Sequence, residues 1–224
     1  MTQAPKAFLS WSSGKDSAFA LVKARRLGLA DIVGVLTTMN EVHARVAMHA
    51  VREELLDAQV AALALPCIKV PLPSPCPNEI YEERMAAAVD AIKAQGVTHV
   101  VFGDLFLEDI RAYREAKLKD AGMDGIFPLW GRNTHALAHE MLDSGMVAHL
   151  TCVDPRRLDP SFAGRRFDEE LLRDFPSGVD PCGENGEFHT VVSAGPMFNA
   201  PIPVAVGIVV ERDGFVFADV EVVR

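Results

Sequence analysis

Apolar runs and helical stripes alternate along the first two thirds of the chain, and most stripes close on a glycine. Residues 7–10 form a short apolar run and predict a strand, and 16–27 carry apolar positions at helical spacing up to a stop at Gly28. Residues 31–38 (DIVGVLTT) predict a buried strand, 45–65 a helix, and 67–72 a third strand. Asn78 suits the start of a helix running to Gln95, with Gly96 as its stop. A fourth strand over 97–103 (VTHVVFG) and a helix over 109–121 ahead of Gly122 follow. Residues 127–130 predict a strand, 134–143 a helix, and 147–153 a strand that continues the alternation.

Strands alternating with helices predict a parallel sheet covered on both faces, an α/β doubly wound core of five strands. Past Asp154 the texture changes: Gly, Pro and Asp become frequent, and the tail VAVGIVVERDGFVFADVEVV predicts two strands turning at Asp213–Gly214. The expected division is therefore a core over 1–130 and a smaller α+β domain over 131–224. Neither an internal repeat nor a low-complexity tract interrupts this pattern.

Composition narrows the setting. Across 224 residues, 49% are hydrophobic and 24% charged, enough apolar material for a sizeable core. A formal net charge of −9 disfavours a wide grip on nucleic acid. The paired arginines at 25–26, 156–157 and 165–166 read as solvated faces. Cys67, Cys76, Cys152 and Cys182 contain no CxxC pair, which fits neither a zinc ribbon nor a disulfide framework and suits a reducing compartment. No secretion signal or membrane span is read from the sequence, so a cytoplasmic location is expected.

The stretch SSGKDS, Ser12 to Ser17, follows the first strand and opens the first helix. Backbone N–H groups and the positive end of the helix dipole converge there on an anion. Ser12, Ser13 and Ser17 add hydroxyls, Lys15 adds a charge, and Gly14 admits close approach. It is not a Walker loop, which would need Gly at position 9 and Ser or Thr at 16, where the chain has Leu9 and Asp16. An aspartate within a phosphate loop repels phosphate unless a cation bridges them, so Asp16 points to Mg²⁺. The plainer alternative is a capped helix start with no ligand.

Two further clusters carry chemistry. FGDLFLEDIRAYRE, Phe102 to Glu115, places Gly103 and Asp104 at the end of the fourth strand. With strand order 3-2-1-4-5, Asp104 faces the loop across the crevice where the order reverses, suited to Mg²⁺ or a ribose. Glu108, Asp109, Arg111, Tyr113 and Arg114 follow as candidates. The other cluster is DPCGENGEFHTVV, Asp180 to Val192, where glycines frame Glu184 and Asn185 and where Glu187 and His189 share one face if extended. Such a pair can hold an ammonium, hold a metal or move protons, or it can simply be a turn at the surface. Cys182 is a lone nucleophile candidate. His43, Arg45 and His49 are lesser candidates, and Thr37 to Met39 end the second strand where an adenine could meet the backbone.

SSGKDS resembles the PP-loop, SGGxDS, of the N-type ATP pyrophosphatases, with Ser13 in place of the first glycine. Together with GD…ED…YRE, PLWG at Pro128–Gly131 and GENGEFHT at Gly183–Thr190, it resembles the diphthine–ammonia ligase family over residues 7–196, closest to a bacterial-looking branch. Against that family's GEGGEYET element, Asn185, Phe188 and His189 are departures at the expected place of substrate recognition. The resemblance implies an adenine nucleotide alpha hydrolase-like core of HUP type. It also implies ATP cleaved between the α and β phosphates, adenylation of a carboxylate or amide, and displacement of AMP by ammonia or an amine. On it, Ser12, Ser13, Gly14, Lys15, Asp16, Ser17, Thr37, Gly103 and Asp104 would hold ATP, with Asp16 and Asp104 toward Mg²⁺. Lys15, Asp104, Arg111, Arg114, Glu187 and His189 would serve catalysis. Glu108, Asp109, Tyr113, Glu184, Asn185, Glu187 and His189 would meet the substrate. The expected partners are a small or protein-borne carboxylate and a nitrogen donor, without nucleic acid or membrane, and a homodimer is compatible. The competing functions are an adenylating sulfur transferase using Cys182 and an ATP-binding switch without turnover.

Overall fold

A computed structural model describes residues 4–42, 44–46 and 50–223. In chain order it begins with β1 (Lys6–Ser10), α1 (Lys15–Arg26), β2 (Asp31–Asn40), β3 (Arg45–Val46), α2 (Glu53–Leu63) and β4 (Cys67–Leu72). Then come α3 (Asn78–Lys93), β5 (His99–Val101), α4 (Glu108–Asp120) and β6 (Asp124–Ile126). Five strands pair in parallel in the order β4-β2-β1-β5-β6, and the two-residue β3 adds antiparallel to the end of β2. The expected α/β architecture and strand order are thus observed. The order reverses between β1 and β5, and a crevice opens at their carboxyl ends.

Alternation along β1 divides the core in two. Phe8 points to one face, where it joins Leu36, Val100 and Phe102 with Ala88 and Ile92 of α3 and Leu118 of α4. Ala7 and Leu9 point to the other, toward α1 and α2. Helix α1 is buried nearly all round, with Ala18, Phe19, Ala20 and Leu21 at 0% exposure, because a second sheet lies on its outer side. Burying a side chain such as Phe19 or Leu21 contributes about 1.5–3 kcal/mol.

That second layer comprises α5 (Thr134–Asp143), β7 (Val147–Val153), α6 (Glu169–Asp174), β8 (Phe188–Ala194), β9 (Val204–Arg212) and β10 (Phe215–Val222). Its four strands are antiparallel in the order β8-β7-β10-β9. The hairpin between β9 and β10 turns at Asp213 and Gly214, both with positive φ (54° and 78°), as a two-residue turn matched to strand twist requires. Among the described residues no helix is long and apolar enough to cross a membrane.

Three expectations are corrected. The helix expected over 45–65 begins only at Glu53, because Val46 accepts a hairpin pairing with Met39 and its N–H bonds to Val51 O. The strand expected over 127–130 is a turn, since Pro128 has no N–H to give, and pairing stops at Ile126. The fourth strand pairs only over His99–Val101, so Gly103 and Asp104 lie in the loop beyond it. Residues 147–153 form the expected strand, and it belongs to the second sheet. His43 and His49 lie outside the described residues.

Candidate active site

A cleft of about 530 Å³ opens at the carboxyl ends of β1 and β5 and passes under α3, α4 and the 182–190 loop. The loop between β1 and α1 forms one wall. Ser13 there has φ 69°, the left-handed angle for which the glycine it replaces would be suited, and its hydroxyl is buried with no hydrogen-bond partner among the described residues. The compensation comes from its carbonyl, which accepts from Val192 N (2.9 Å) and Gln59 Nε2 (3.2 Å). Gln59, fully buried on α2, also donates to Val192 O (2.7 Å) and accepts from Trp11 Nε1 (3.1 Å). No side chain caps α1 at Gly14, and Lys15 N donates to Thr190 Oγ1 (3.1 Å). Ser17 Oγ donates to Gly14 O (3.0 Å) and lies 3.1 Å from Ser12 Oγ, which lines the cleft with Asp16 and Ser17.

Lys15 turns away from open solvent. Its ammonium bonds to Cys182 O and to both Asp16 oxygens (3.1 and 2.9 Å), and it sits near the rings of Phe167 and Phe188 (5.9 and 5.3 Å). Burial pulls its pKa down most strongly, but Asp16, Cys182 and Glu184 together hold it raised. Lys15 therefore fixes Asp16 and ties the loop to the second sheet.

Three carboxylates meet in the cleft. Glu184 Oε1 accepts from Leu105 N (2.9 Å), joining the 182–190 loop to the segment after β5. Burial pushes Glu184 up to about 7, against the Leu105 hydrogen bond and with help from Asp16 and Asp104. Burial likewise raises Asp104, which Arg114 pulls back. Arg114 Nε lies 3.1 Å from Asp104 Oδ2, close enough for an ion pair but off line for a hydrogen bond, and its guanidinium stacks 4.5 Å above Phe102. Gly103 lets this segment approach the loop: a Cβ there would stand 2.7 Å from the backbone carbon of Asp16.

Among the proposed residues, Ser12, Lys15, Asp16, Ser17, Gly103, Asp104, Arg114, Glu184 and His189 line the cleft. Ser13 and Gly14 lie beneath it as buried backbone. Thr37 is buried, donating to Trp11 O (2.8 Å), while its neighbour Thr38 reaches the cleft. Arg111 is elsewhere, wedged 4.7 Å from both Phe127 and Trp130 and paired with Glu115 (2.7 Å). Glu187 is buried and accepts from Asp180 N (3.0 Å) and Asn185 Nδ2 (3.1 Å), so Glu187 and Asn185 shape the loop. Glu108, Asp109 and Tyr113 are exposed on the first turns of α4. Sequence reasoning missed Gln59, whose signal was a lone amide on the stripe Leu55, Leu56, Leu63. It also missed Tyr81 and Met85, which close the apolar end of the cleft.

Two family models match: the diphthamide synthase N-terminal domain over residues 5–124 and the diphthamide synthase C-terminal domain over 133–217. A diphthine–ammonia ligase of Bos taurus is 24% identical over 236 aligned positions, covering 95% of this chain and 88% of that protein. The Homo sapiens diphthine–ammonia ligase is 34% identical over 103 positions, 43% of this chain and 38% of that protein. The N-terminal model spans Ser12–Ser17 and Asp104, the C-terminal model spans Glu184 and His189, and the chain belongs to the diphthamide synthase family.

Proposed function

We propose that the chain is an ATP-dependent, amide-forming ligase that adenylates a carboxylate or amide oxygen with release of pyrophosphate. The observation that carries this reading is the uncapped start of α1 in a cleft where Asp16, Asp104 and Glu184 face one another. A helix N-terminus and serine hydroxyls suit the β and γ phosphates, and the apolar end near Phe8, Leu36, Tyr81 and Met85 suits an adenine. The names of the matched relatives, both diphthine–ammonia ligases, support ligation.

The donor set fits Mg²⁺. All donors are carboxylate oxygens, and Asp104 Oδ2, buried beside Arg114 Nε at 3.1 Å, makes no hydrogen bond among the described residues. Among the described residues no three His, Cys, Asp or Glu side chains close into a metal cage, which suits an ion that keeps waters and phosphate oxygens. Asp16 and Asp104 would hold it, and it would supply neutralisation of charge on the pyrophosphate.

In the reaction, an acceptor oxygen attacks the α phosphorus, the bond to the bridging oxygen breaks, and its electron pair leaves on pyrophosphate. Ammonia or an amine then adds to the activated carbon, AMP departs, and the nitrogen loses a proton to a base. Arg114, stacked beside Asp104, is suited to the α phosphate. His189 borders the acceptor side, and the loop works electrostatically on the leaving group.

The sulfur-transfer alternative is weakened by Cys182: burial drives its thiol far up, and its Sγ donates to Thr134 O (3.4 Å). The test is the product. AMP and pyrophosphate support adenylation, ADP overturns it, and tight binding without turnover favours a switch. Asp16→Ala and Ser17→Ala are each expected to lower ATP–pyrophosphate exchange at least about 100-fold; exchange that survives both overturns the loop assignment.

A further inference from the structure

A second cavity, of about 280 Å³, lies on the far side of His189 and Val46, which among the described residues line both it and the main cleft. Its walls come from both layers. Asn40 and Arg45 come from the hairpin of β2 and β3, Ser74 follows β4, and the β9–β10 hairpin brings Arg212, Asp213, Phe215 and Phe217. Nothing in the adenylation chemistry of the first cleft uses this space.

Its charge is unlike that of the whole chain. In a protein of net charge −9, the lining holds, among the described residues, two guanidinium groups and one carboxylate, Asp213. Asp213 is exposed and lies 3.9 Å from Arg212, a loose pair. The carboxylate that answers Arg45 is Asp219 (3.0 Å), which is not part of the lining. The aromatic wall is also turned to anions. Phe217 carries the Arg212 guanidinium at 5.1 Å and Phe215 that of Arg156 at 5.6 Å, so a cationic guest would compete for ring faces already occupied by cations. The one thiol in the wall, Cys152, is pushed up to about 12 by burial and offers no nucleophile.

We propose that this second cavity is the acceptor site and that it takes a small dicarboxylate. One carboxylate passes His189 toward the nucleotide, and the other is held by the Arg212 guanidinium. This rests on the adenylating reading of the first cleft. It deepens that reading by setting the acceptor as small and doubly anionic, and by giving the hairpin, far along the chain from Ser12–Ser17, the selection of substrate. Fork-shaped donors such as arginine favour a carboxylate that can bridge two N–H groups.

The test is calorimetric titration of the full chain, in the presence of ATP and Mg²⁺, with malonate, succinate, glutarate and adipate. Acetate, butyrate and trimethylglycine serve as singly charged and zwitterionic counterparts. The expected result is saturable binding of at least one dicarboxylate, with its counterparts about tenfold weaker or more. Arg212→Ala should weaken that binding about tenfold and Arg212→Glu abolish it. Both changes lie at the exposed end of β9, and a retained unfolding midpoint verifies the fold. The proposal is overturned if no dicarboxylate binds while ATP does, if the singly charged acids or trimethylglycine bind as well, or if Arg212→Ala binds like the parent. ATP affinity, measured alone, separates the two readings: a chain that does not bind ATP loses the ligase reading first, and this one with it.

Discussion

Ser13 holds a left-handed backbone angle with a buried hydroxyl that finds no partner among the described residues. The angle costs a residue with a Cβ about 1–2 kcal/mol, and a buried unpaired hydroxyl adds to it. Glycine would remove both costs and give back about 0.5–1 kcal/mol in chain entropy. Ser13→Gly is therefore expected to stabilise the protein by about 1 kcal/mol, a rise of about 2–4 °C in unfolding midpoint; an unchanged or lower midpoint would show that the hydroxyl has a partner. Glu184 makes the pH argument. Its folded value, about 7, lies above the ordinary 4.5, so the folded state binds the extra proton between those values. The stability this contributes is complete below about pH 4.5 and is lost as pH rises through about 7. In ligand-free protein, Glu184→Gln should match the parent near pH 5 and exceed it increasingly toward pH 8 in a series of thermal melts. A difference that stays flat over that range contradicts the assignment.

At the scale of elements, the close approach of the β5 loop to the start of α1 depends on one missing side chain. A Cβ at Gly103 would meet Asp16 C at 2.7 Å and Ser17 N at 2.8 Å, both backbone atoms that cannot swing aside. Gly103→Ala should cost about 1–3 kcal/mol and weaken ATP binding together, since the strain falls on the loop itself. Equal ATP affinity in parent and variant, read by titration, would mean the loop does not hold the nucleotide. Much of this arrangement was legible in sequence. The period of α1, the runs of β1 and β4 and the glycine stops predicted a parallel sheet, and on the supposition of the order 3-2-1-4-5 Asp104 fell opposite Ser12–Ser17. What was not legible depends on tertiary contact. The Arg111 clamp needs Phe127 and Trp130 folded back upon α4, which spacing does not reveal. Apolar positions at Val46, Val51 and Leu55 imitate a helix, but Arg45 is held by Ala50 O and Asp219, and the backbone there turns.

For the molecule as a whole, the two layers share one interior. Leu9 and Val101 of the first sheet, Phe19 of α1 and Val191 and Val220 of the second sheet belong to a single buried cluster. A fragment of residues 1–130 would expose the outer face of α1 and leave the Lys15 ammonium without Cys182 O. It should therefore show no cooperative unfolding transition by calorimetry, whereas a sharp one would prove the first layer self-sufficient. The hydrogen bond from Val192 to Ser13 has a further consequence, concerning the order in which the protein is made. Ser12–Ser17 is synthesised well ahead of β8, yet the strained Ser13 carbonyl receives the Val192 N–H only when that strand arrives. A nascent chain therefore carries the loop in an unfinished form until residue 192 has been added, and on the proposed function it would lack the mature grip on ATP until then.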